Sequence, residues 1–269
     1  MSTSENSLNA VELGISRVGS KILGNVAALG SLVLFIQETV RQIFRPPYRG
    51  RLILQQMEFI GNQSLSIVLI CGFFIGAAVS LQVGTIFVIF GAEGMLGAAN
   101  GKALSRELSP LITGFLLAGR GGASMTAEIA SMKVNEQIDA MEAMAVDPIN
   151  YLVAPRVIAC LFMLPLLVSI FNLVGQVASV IVGVFIFDID QGAFFEKMTS
   201  IVEPADIWSG LQKAVIFGGI IALFACRFGL SAKGGAKGVG QATTNSVVTM
   251  LLVLLLVDFV TTYVQIVFA

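Results

Sequence analysis

The feature that most constrains this chain is a series of apolar runs about as long as a lipid bilayer is thick. A helix of roughly 20 apolar residues crosses the hydrocarbon core of a bilayer. Runs of this kind fall at 64–90, 104–117, 157–187, 207–228 and 243–268, the second being the shortest. Only 12% of the residues are charged, whereas about 25% is usual in soluble domains. The sequence therefore predicts an all-α integral membrane protein with five transmembrane helices.

The segment before the first run has an intermediate character. Residues 22–40 are apolar enough to enter a membrane, but Arg17, Lys21 and Arg41 flank them closely. This pattern favours an N-terminal elbow helix within residues 14–45, lying in the membrane interface, over a full span. The two prolines that follow stop helix propagation. The chain is thus predicted to divide into an interfacial region, 1–50, and a transmembrane domain, 51–269.

The distribution of lysine and arginine predicts the orientation. Alternate loops carry most of the basic residues, and loops rich in such residues stay in the cytoplasm. The opposite side has only Lys102 and Lys197, together with most of the acidic loop 188–206. With five spans, the N-terminus is predicted to be cytoplasmic and the C-terminus exported. The cytoplasmic set is Arg41, Arg45, Arg49, Arg51, Arg120, Lys133, Arg156, Arg227, Lys233 and Lys237.

The composition argues against an active site within this chain. There is no histidine, and the three cysteines are far apart in sequence, which predicts neither a catalytic triad nor a metal site. The stretch 97–103 resembles a phosphate-binding loop, but it has one residue too few between its glycines and Ala103 where Ser or Thr is required. No basic patch with interleaved aromatics suggests nucleic acid. We expect no cofactor here, and ATP, if used, to be bound by a separate chain.

Small residues recur every four positions in the first run, at Gly72, Gly76, Ser80 and Gly84. Such a ridge lets helix backbones approach closely in lipid. Ordinary helix packing is the main interpretation. A groove for an acyl chain beside the ridge is the alternative.

Four ionisable residues lie inside apolar runs: Arg106, Glu107, Lys213 and Asp258. Each would be costly if it faced lipid, so each should face a partner or a wet cavity. They could join the second, fourth and fifth spans in one network. That network could be an interhelical clamp, or a polar lining that meets a lipid head group or gates a lumen. Arg106 is the candidate for a phosphate contact, because its planar guanidinium suits bidentate recognition.

The segment 131–147 is predicted to form a short amphipathic cytoplasmic helix. Its apolar face would hold Val134, Ile138, Met141 and Ala145, with acidic residues on the other flank. The helix could pack on its own protein. Because no cytoplasmic domain is predicted for it to pack on, a helix that docks in another protein's groove is favoured.

Residues 107–148 carry a specific family resemblance. The matching pieces are Glu107-Leu-Ser-Pro110, Ala118-Gly-Arg120, Thr126-Ala-Glu-Ile129, Glu136-Gln137 and Met144-Ala-Val-Asp-Pro148. This pattern resembles the MlaE (YrbE-type) permease family, with Ser109 where that family usually has glycine. The likeness extends more loosely through the third span, Lys213 and Asp258.

The resemblance implies a homodimeric permease of an ABC phospholipid transporter in the bacterial inner membrane. Its partners would be a cytoplasmic ATPase, a periplasmic MCE-domain protein and a possible STAS-domain subunit. Together they would move phospholipid between the inner membrane and the periplasm or outer membrane, maintaining outer-membrane lipid asymmetry.

The resemblance also implies roles for particular residues. The family's intramembrane charged positions map onto the same four residues, Arg106, Glu107, Lys213 and Asp258. ATPase coupling maps onto Lys133, Glu136, Ile138, Asp139, Met141 and Glu142. Two alternatives remain: a proton-coupled secondary transporter using Glu107 or Asp258, and a membrane scaffold that transports nothing.

Overall fold

The computed structural model describes residues 23, 26–27, 30–46 and 49–267, which contain helices and no strand. The chain divides after Pro46 into two compact units. The first holds helix α1, residues 30–43, in which the Thr39 hydroxyl donates to the Phe35 carbonyl at 2.8 Å. Part of the predicted elbow, including residues 14–22, lies outside the described residues. Its interfacial placement stays a prediction.

The second unit is a bundle of nine α-helices within its described residues. Four helical segments are long and apolar enough to cross a membrane: Gly50–Ile89, Ile149–Phe185, Pro204–Leu230 and Gly235–Val267. They correspond to the first, third, fourth and fifth predicted spans. The nine helices are α2 (Gly50–Ile89), α3 (Leu96–Ala103), α4 (Ser109–Leu117), α5 (Ala123–Val134), α6 (Gln137–Ala143), α7 (Ala154–Phe185), α8 (Gln191–Ile201), α9 (Pro204–Leu230) and α10 (Gly235–Val267).

The second predicted span, 104–117, belongs to a longer helical path through α3, α4 and α5. Two π turns, Leu104–Leu108 and Ala118–Gly122, join these helices without a loop. Pro110 follows the first π turn, and a widened turn relieves the clash between a proline ring and the preceding carbonyls. Each α-helical piece is short, and the count of five spans stays a prediction.

Helices α2 and α7 make the most extensive helix–helix contact. Eight residues at intervals of four or fewer form the buried edge of α2, including Gly72, Gly76, Ser80 and Gly84. A Cβ atom on Gly76 would run into the backbone of Gly175, so no other residue fits there without a shift. Such close backbone approach is typical of small-residue interfaces in membranes.

The prediction of a loop at 188–206 is wrong, because this segment contains helix α8. Asp190 caps the helix by accepting a 2.9 Å hydrogen bond from the Ala193 amide. Phe194 is fully buried, in a socket that the missing side chains of Gly97 and Gly183 leave open. The polar residues of this segment suggested a loop, but the buried Phe194 ring packs the segment against the bundle as a helix.

The prediction of one amphipathic helix over 131–147 is also wrong. Helix α5 continues to Val134, and Glu136 then adopts a left-handed conformation with φ of 59°. Only the seven residues of α6 follow. Ile138 is buried against the protein itself, and α6 packs on α5. Part of the predicted apolar face therefore packs against the same chain, while Glu136, Asp139 and Glu142 stay exposed.

Candidate functional site

A cluster centred on Lys213 joins three helical segments at the middle of the bundle. Its ammonium group is fully buried and lies 2.5 Å from Glu107 Oε2 and 3.1 Å from Asp258 Oδ1. It also donates to the Thr262 hydroxyl at 2.7 Å. Helix α9 supplies the lysine, the first π turn supplies Glu107, and α10 supplies Asp258 and Thr262. We call these four residues the lysine cluster.

The lysine cluster contains one cation and two carboxylates. The Glu107 side chain is 36% exposed and that of Asp258 is 15% exposed, while Lys213 is inaccessible. Solvent therefore reaches the cluster at Glu107 but not at Lys213. A buried charge persists only when it is paired and hydrogen-bonded. Lys213 is therefore the member whose removal would leave unpaired charges, because either carboxylate alone could still pair with it.

Arg106 belongs to a second cluster, although it adjoins Glu107 in sequence. Its guanidinium donates to Asp206 Oδ1 at 3.3 Å, and Lys102 Nζ lies 3.6 Å from Asp206 Oδ2. Asp206 is buried and also accepts a 3.0 Å hydrogen bond from the Glu203 amide, within a capping box that begins α9. We call these four residues the aspartate cluster. Of the four predicted intramembrane charges, the structure thus brings three together and places Arg106 elsewhere.

The two ends of the bundle are chemically different. Helix α9 begins beside the aspartate cluster and ends where Gly229 packs against Ile129 of α5. The aspartate cluster and α6 therefore lie at opposite ends. We call them the α8 end and the α6 end.

Two cavities open near the α8 end. The first, the α8-end pocket, has a volume of about 400 Å³ and includes four charged residues in its lining. The second, the apolar groove, has a volume of about 440 Å³. Both fall in the range of small-molecule sites. The groove is lined by Ser105, Val168, Ser169, Asn172, Leu173, Gln176, Val177, Val180, Phe195, Met198, Ile207 and Leu211.

Several buried polar contacts were not predicted. Asn100 of α3 donates to Ser179 of α7 at 2.8 Å and to Ser80 of α2, so one amide joins three helices. Thr126 of α5 donates to Ser246 of α10 at 2.9 Å. Neutral polar residues are common in membrane spans and give little sequence signal, whereas ionised residues stand out by their cost.

The α6 end has its own ion pairs. Lys133 lies 2.6 Å from Asp139, and this hydrogen bond raises the pKa of the lysine above its ordinary value. Arg156 is buried, pairs with Glu128 at 2.8 Å and donates to the Leu152 carbonyl. The second pair was missed because Arg156 looked like a loop residue beside Pro155.

Bilayer-length helices with ionised side chains enclosed between them define a multi-span membrane protein. No group of metal-ligating residues occurs among the residues that the structure describes. The functional elements are therefore charge clusters, cavities and the exposed surface of α6.

Comparison with known proteins specifies this class further, since a family model described as permease MlaE matches residues 53–264. The chain belongs to the MlaE permease family. A probable ABC transporter permease protein of Rickettsia felis is 41% identical over 245 residues, covering 91% of this chain and 95% of that protein.

Other organisms have similar proteins. A probable ABC transporter permease protein of Synechocystis is 38% identical over 85% of this chain and 91% of its own length. One from Porphyra purpurea is 41% identical over 74% of this chain and 76% of its own length. Permeases of ABC transporters are generally not enzymes, and they work with an ATPase.

Proposed function

We propose that this chain is the permease subunit of an ABC transporter that moves phospholipid between the inner membrane and the periplasm or outer membrane. A separate ATPase supplies the energy, and two copies of the chain form the permease. The family match over residues 53–264 carries this proposal. Two cavities near one end of the bundle, one lined in part by charged residues and one mostly apolar, are compatible with an amphiphilic substrate.

In this proposal the α6 end faces the cytoplasm and receives the ATPase. The exposed acidic side chains of Glu136, Asp139 and Glu142 and the exposed Met144 form the contact surface. Helix α6 packs on α5, and α5 continues through both π turns to Glu107 and Arg106. A displacement of α6 would thus be transmitted along one helical path to both charge clusters.

The α8 end then faces the periplasm, with the N-terminus of the chain in the cytoplasm and its C-terminus in the periplasm. A periplasmic MCE-domain protein would exchange lipid there, and a STAS-domain subunit could accompany the ATPase. The basic loops at the α6 end support this orientation through the positive-inside rule.

Reconstitution tests the proposal directly. Liposomes containing the chain and a candidate ATPase should transfer labelled phospholipid to an acceptor only when ATP is present. The double variant Asp139→Lys, Glu142→Lys should lose co-purification of the ATPase with only a small change in thermal unfolding, because both residues are exposed and the Lys133–Asp139 pair lies at the surface. The matched control is Glu196→Lys, an exposed acid on α8. Retention of the ATPase by the double variant would contradict the coupling surface.

One observation favours a second candidate, a proton-coupled transporter. The lysine cluster has two carboxylates for one cation, so a proton could balance it. Lipid transfer driven by a pH gradient, without ATP or an ATPase, would support this candidate and exclude the first. A chain that transfers no lipid under either condition would instead be a scaffold.

A further inference from the structure

The α8-end pocket is lined by charges of both signs, which different helices contribute. Lys102 and Arg106 lie on the wall formed by α3 and the first π turn. Glu203 and Asp206 lie on the wall formed by the start of α9, and Gln265 of α10 faces the same cavity. Two cations and two carboxylates make the lining neutral overall. A ligand that matches it would also carry one charge of each sign.

The cationic wall has hydrogen-bonding capacity left for a ligand. The Lys102 side chain is 44% exposed and its contact with Asp206, at 3.6 Å, is loose. Arg106 is 25% exposed and donates to Asp206 at 3.3 Å, while a guanidinium has five donors. Arginine and lysine together are common partners of phosphate oxygens. This wall is therefore suited to a phosphate group.

Gln265 of α10 contributes an unsatisfied acceptor to the same pocket. The Gln265 amide nitrogen donates to the Ser209 carbonyl at 3.1 Å, which fixes the direction of the amide group. Its Oε1 atom is buried and accepts no hydrogen bond. A buried acceptor without a donor is costly, so a ligand that supplies an N–H group would relieve that cost.

Glu203 adds a negative charge to the wall formed by the start of α9. Its side chain is exposed and accepts from the Asp206 amide in the capping box. Among the described residues, no lysine or arginine lies within ion-pair distance of it; each of the ion pairs found at the pocket uses Asp206 instead. A carboxylate of this kind attracts a cationic group.

We propose that the α8-end pocket binds the phosphoethanolamine head group of a phospholipid. The phosphate contacts Lys102 and Arg106, and the primary ammonium donates to Gln265 Oε1 and to the Glu203 carboxylate. This inference rests on the proposed function and names the head-group class that the permease selects. The exposed Trp208 at the rim suits the membrane interface, where aromatic residues concentrate.

The same chemistry predicts which head groups bind less well. A phosphocholine group carries the same charges, but its trimethylated nitrogen has no N–H to donate to Gln265. A phosphoglycerol group keeps the phosphate and has no cation for Glu203. The residues next in sequence to Arg106 and Asp206, Ser105 and Ile207, line the apolar groove, which offers a surface for the acyl chains.

Equilibrium binding to the purified full-length chain tests the assignment without an ATPase. Phosphatidylethanolamine, phosphatidylcholine and phosphatidylglycerol with identical acyl chains would be titrated and detected by native mass spectrometry. Phosphatidylethanolamine should bind on the order of tenfold more tightly than the other two, the effect of one hydrogen bond to a charged group.

Variants assign that preference to the two walls. Glu203→Gln, which keeps a capping acceptor, and Gln265→Met should each reduce phosphatidylethanolamine binding toward the phosphatidylcholine level. Lys102→Gln should weaken phosphatidylethanolamine and phosphatidylglycerol alike. Glu196→Gln, an exposed acid outside the pocket, is the matched control and should change nothing. Thermal unfolding of each variant identifies any that fails to fold, and the remaining variants then decide.

Equal binding of the three lipids would overturn the inference, and so would a preference that survives both Glu203→Gln and Gln265→Met. ATP-driven transfer of all three lipids at one rate, with no binding preference, refutes the head-group assignment and leaves the proposed function intact. Selective binding by a chain that transfers no lipid with its ATPase refutes the proposed function and leaves the head-group site.

Discussion

The lysine cluster and the aspartate cluster have buried central residues of opposite charge. In the first, a buried cation lies between two carboxylates. In the second, a buried carboxylate lies between two cations. Adjacent residues, Glu107 and Arg106, contribute to the two clusters. The first π turn therefore distributes opposite charges to two sites with different partners.

The two clusters also differ in how tightly their members are held. The contacts of Lys213 with its carboxylates are 2.5 Å and 3.1 Å, while those of Asp206 with its cations are 3.3 Å and 3.6 Å. The partners of Asp206 are also partly open to a cavity. Short contacts to an inaccessible group favour a structural role, whereas longer contacts at a cavity leave partners that a ligand can engage.

The largest expected effect is that of Lys213→Met. This change leaves Glu107 and Asp258 facing each other without a cation, which should lower the free energy of unfolding by about 3–5 kcal/mol. Thermal or denaturant unfolding in detergent micelles measures the loss. Lys197→Met, on the exposed face of α8, is the control. A loss below about 1 kcal/mol would show that the lysine cluster is not the structural one of the two.

A triple variant sharpens the same point. Adding Glu107→Gln and Asp258→Asn to Lys213→Met removes every charge of the lysine cluster. We expect it to recover a large part of the lost stability, because the cost in the single variant comes from unpaired charges rather than from a lost attraction. No recovery would mean that the contacts themselves, and not the charge balance, stabilise the bundle.

An intermediate effect is expected for Asp206→Asn. Asparagine keeps an acceptor for the Glu203 amide in the capping box but loses the charge that faces Arg106 and Lys102, so the replacement should cost about 1–2 kcal/mol in unfolding free energy. Asp190→Asn is a matched control, because Asp190 caps α8 and has no ion pair among the described contacts. Equal losses in the two variants would show that the ion pairs of Asp206 add no stability.

The smallest effect on stability is expected for Lys102→Gln. Its half-exposed, loose pair should contribute no more than about 0.5 kcal/mol to the free energy of unfolding. The same variant should still weaken phospholipid binding. A loss of stability comparable with that of Lys213→Met would erase the distinction between the clusters.

The sequence predicted the long spans well, because the length of an apolar run is a local property that can be compared directly with the thickness of a bilayer. It also singled out Lys213 and Asp258, because an ionised group in an apolar run is costly wherever it points. The partner of Arg106 was not found, since Asp206 belongs to a polar stretch that resembled a loop.

The errors at α8 and α6 have a different cause. Helix α8 depends on the packing of Phe194 against residues far away in sequence, which no local pattern reveals. The break before α6 falls at Asn135 and Glu136, where asparagine is a weaker helix-end signal than glycine or proline and was not used. The orphan oxygen of Gln265 is likewise a product of three-dimensional packing.

The seating of Phe194 makes one wall of the apolar groove depend on two positions that have no side chain. A single methyl group at Gly97 or Gly183 would occupy part of the volume of the ring. Helix α8 would then have to lift from the bundle and carry with it Phe195 and Met198, which line the groove. The width of the apolar groove thus depends on two glycines that do not line it.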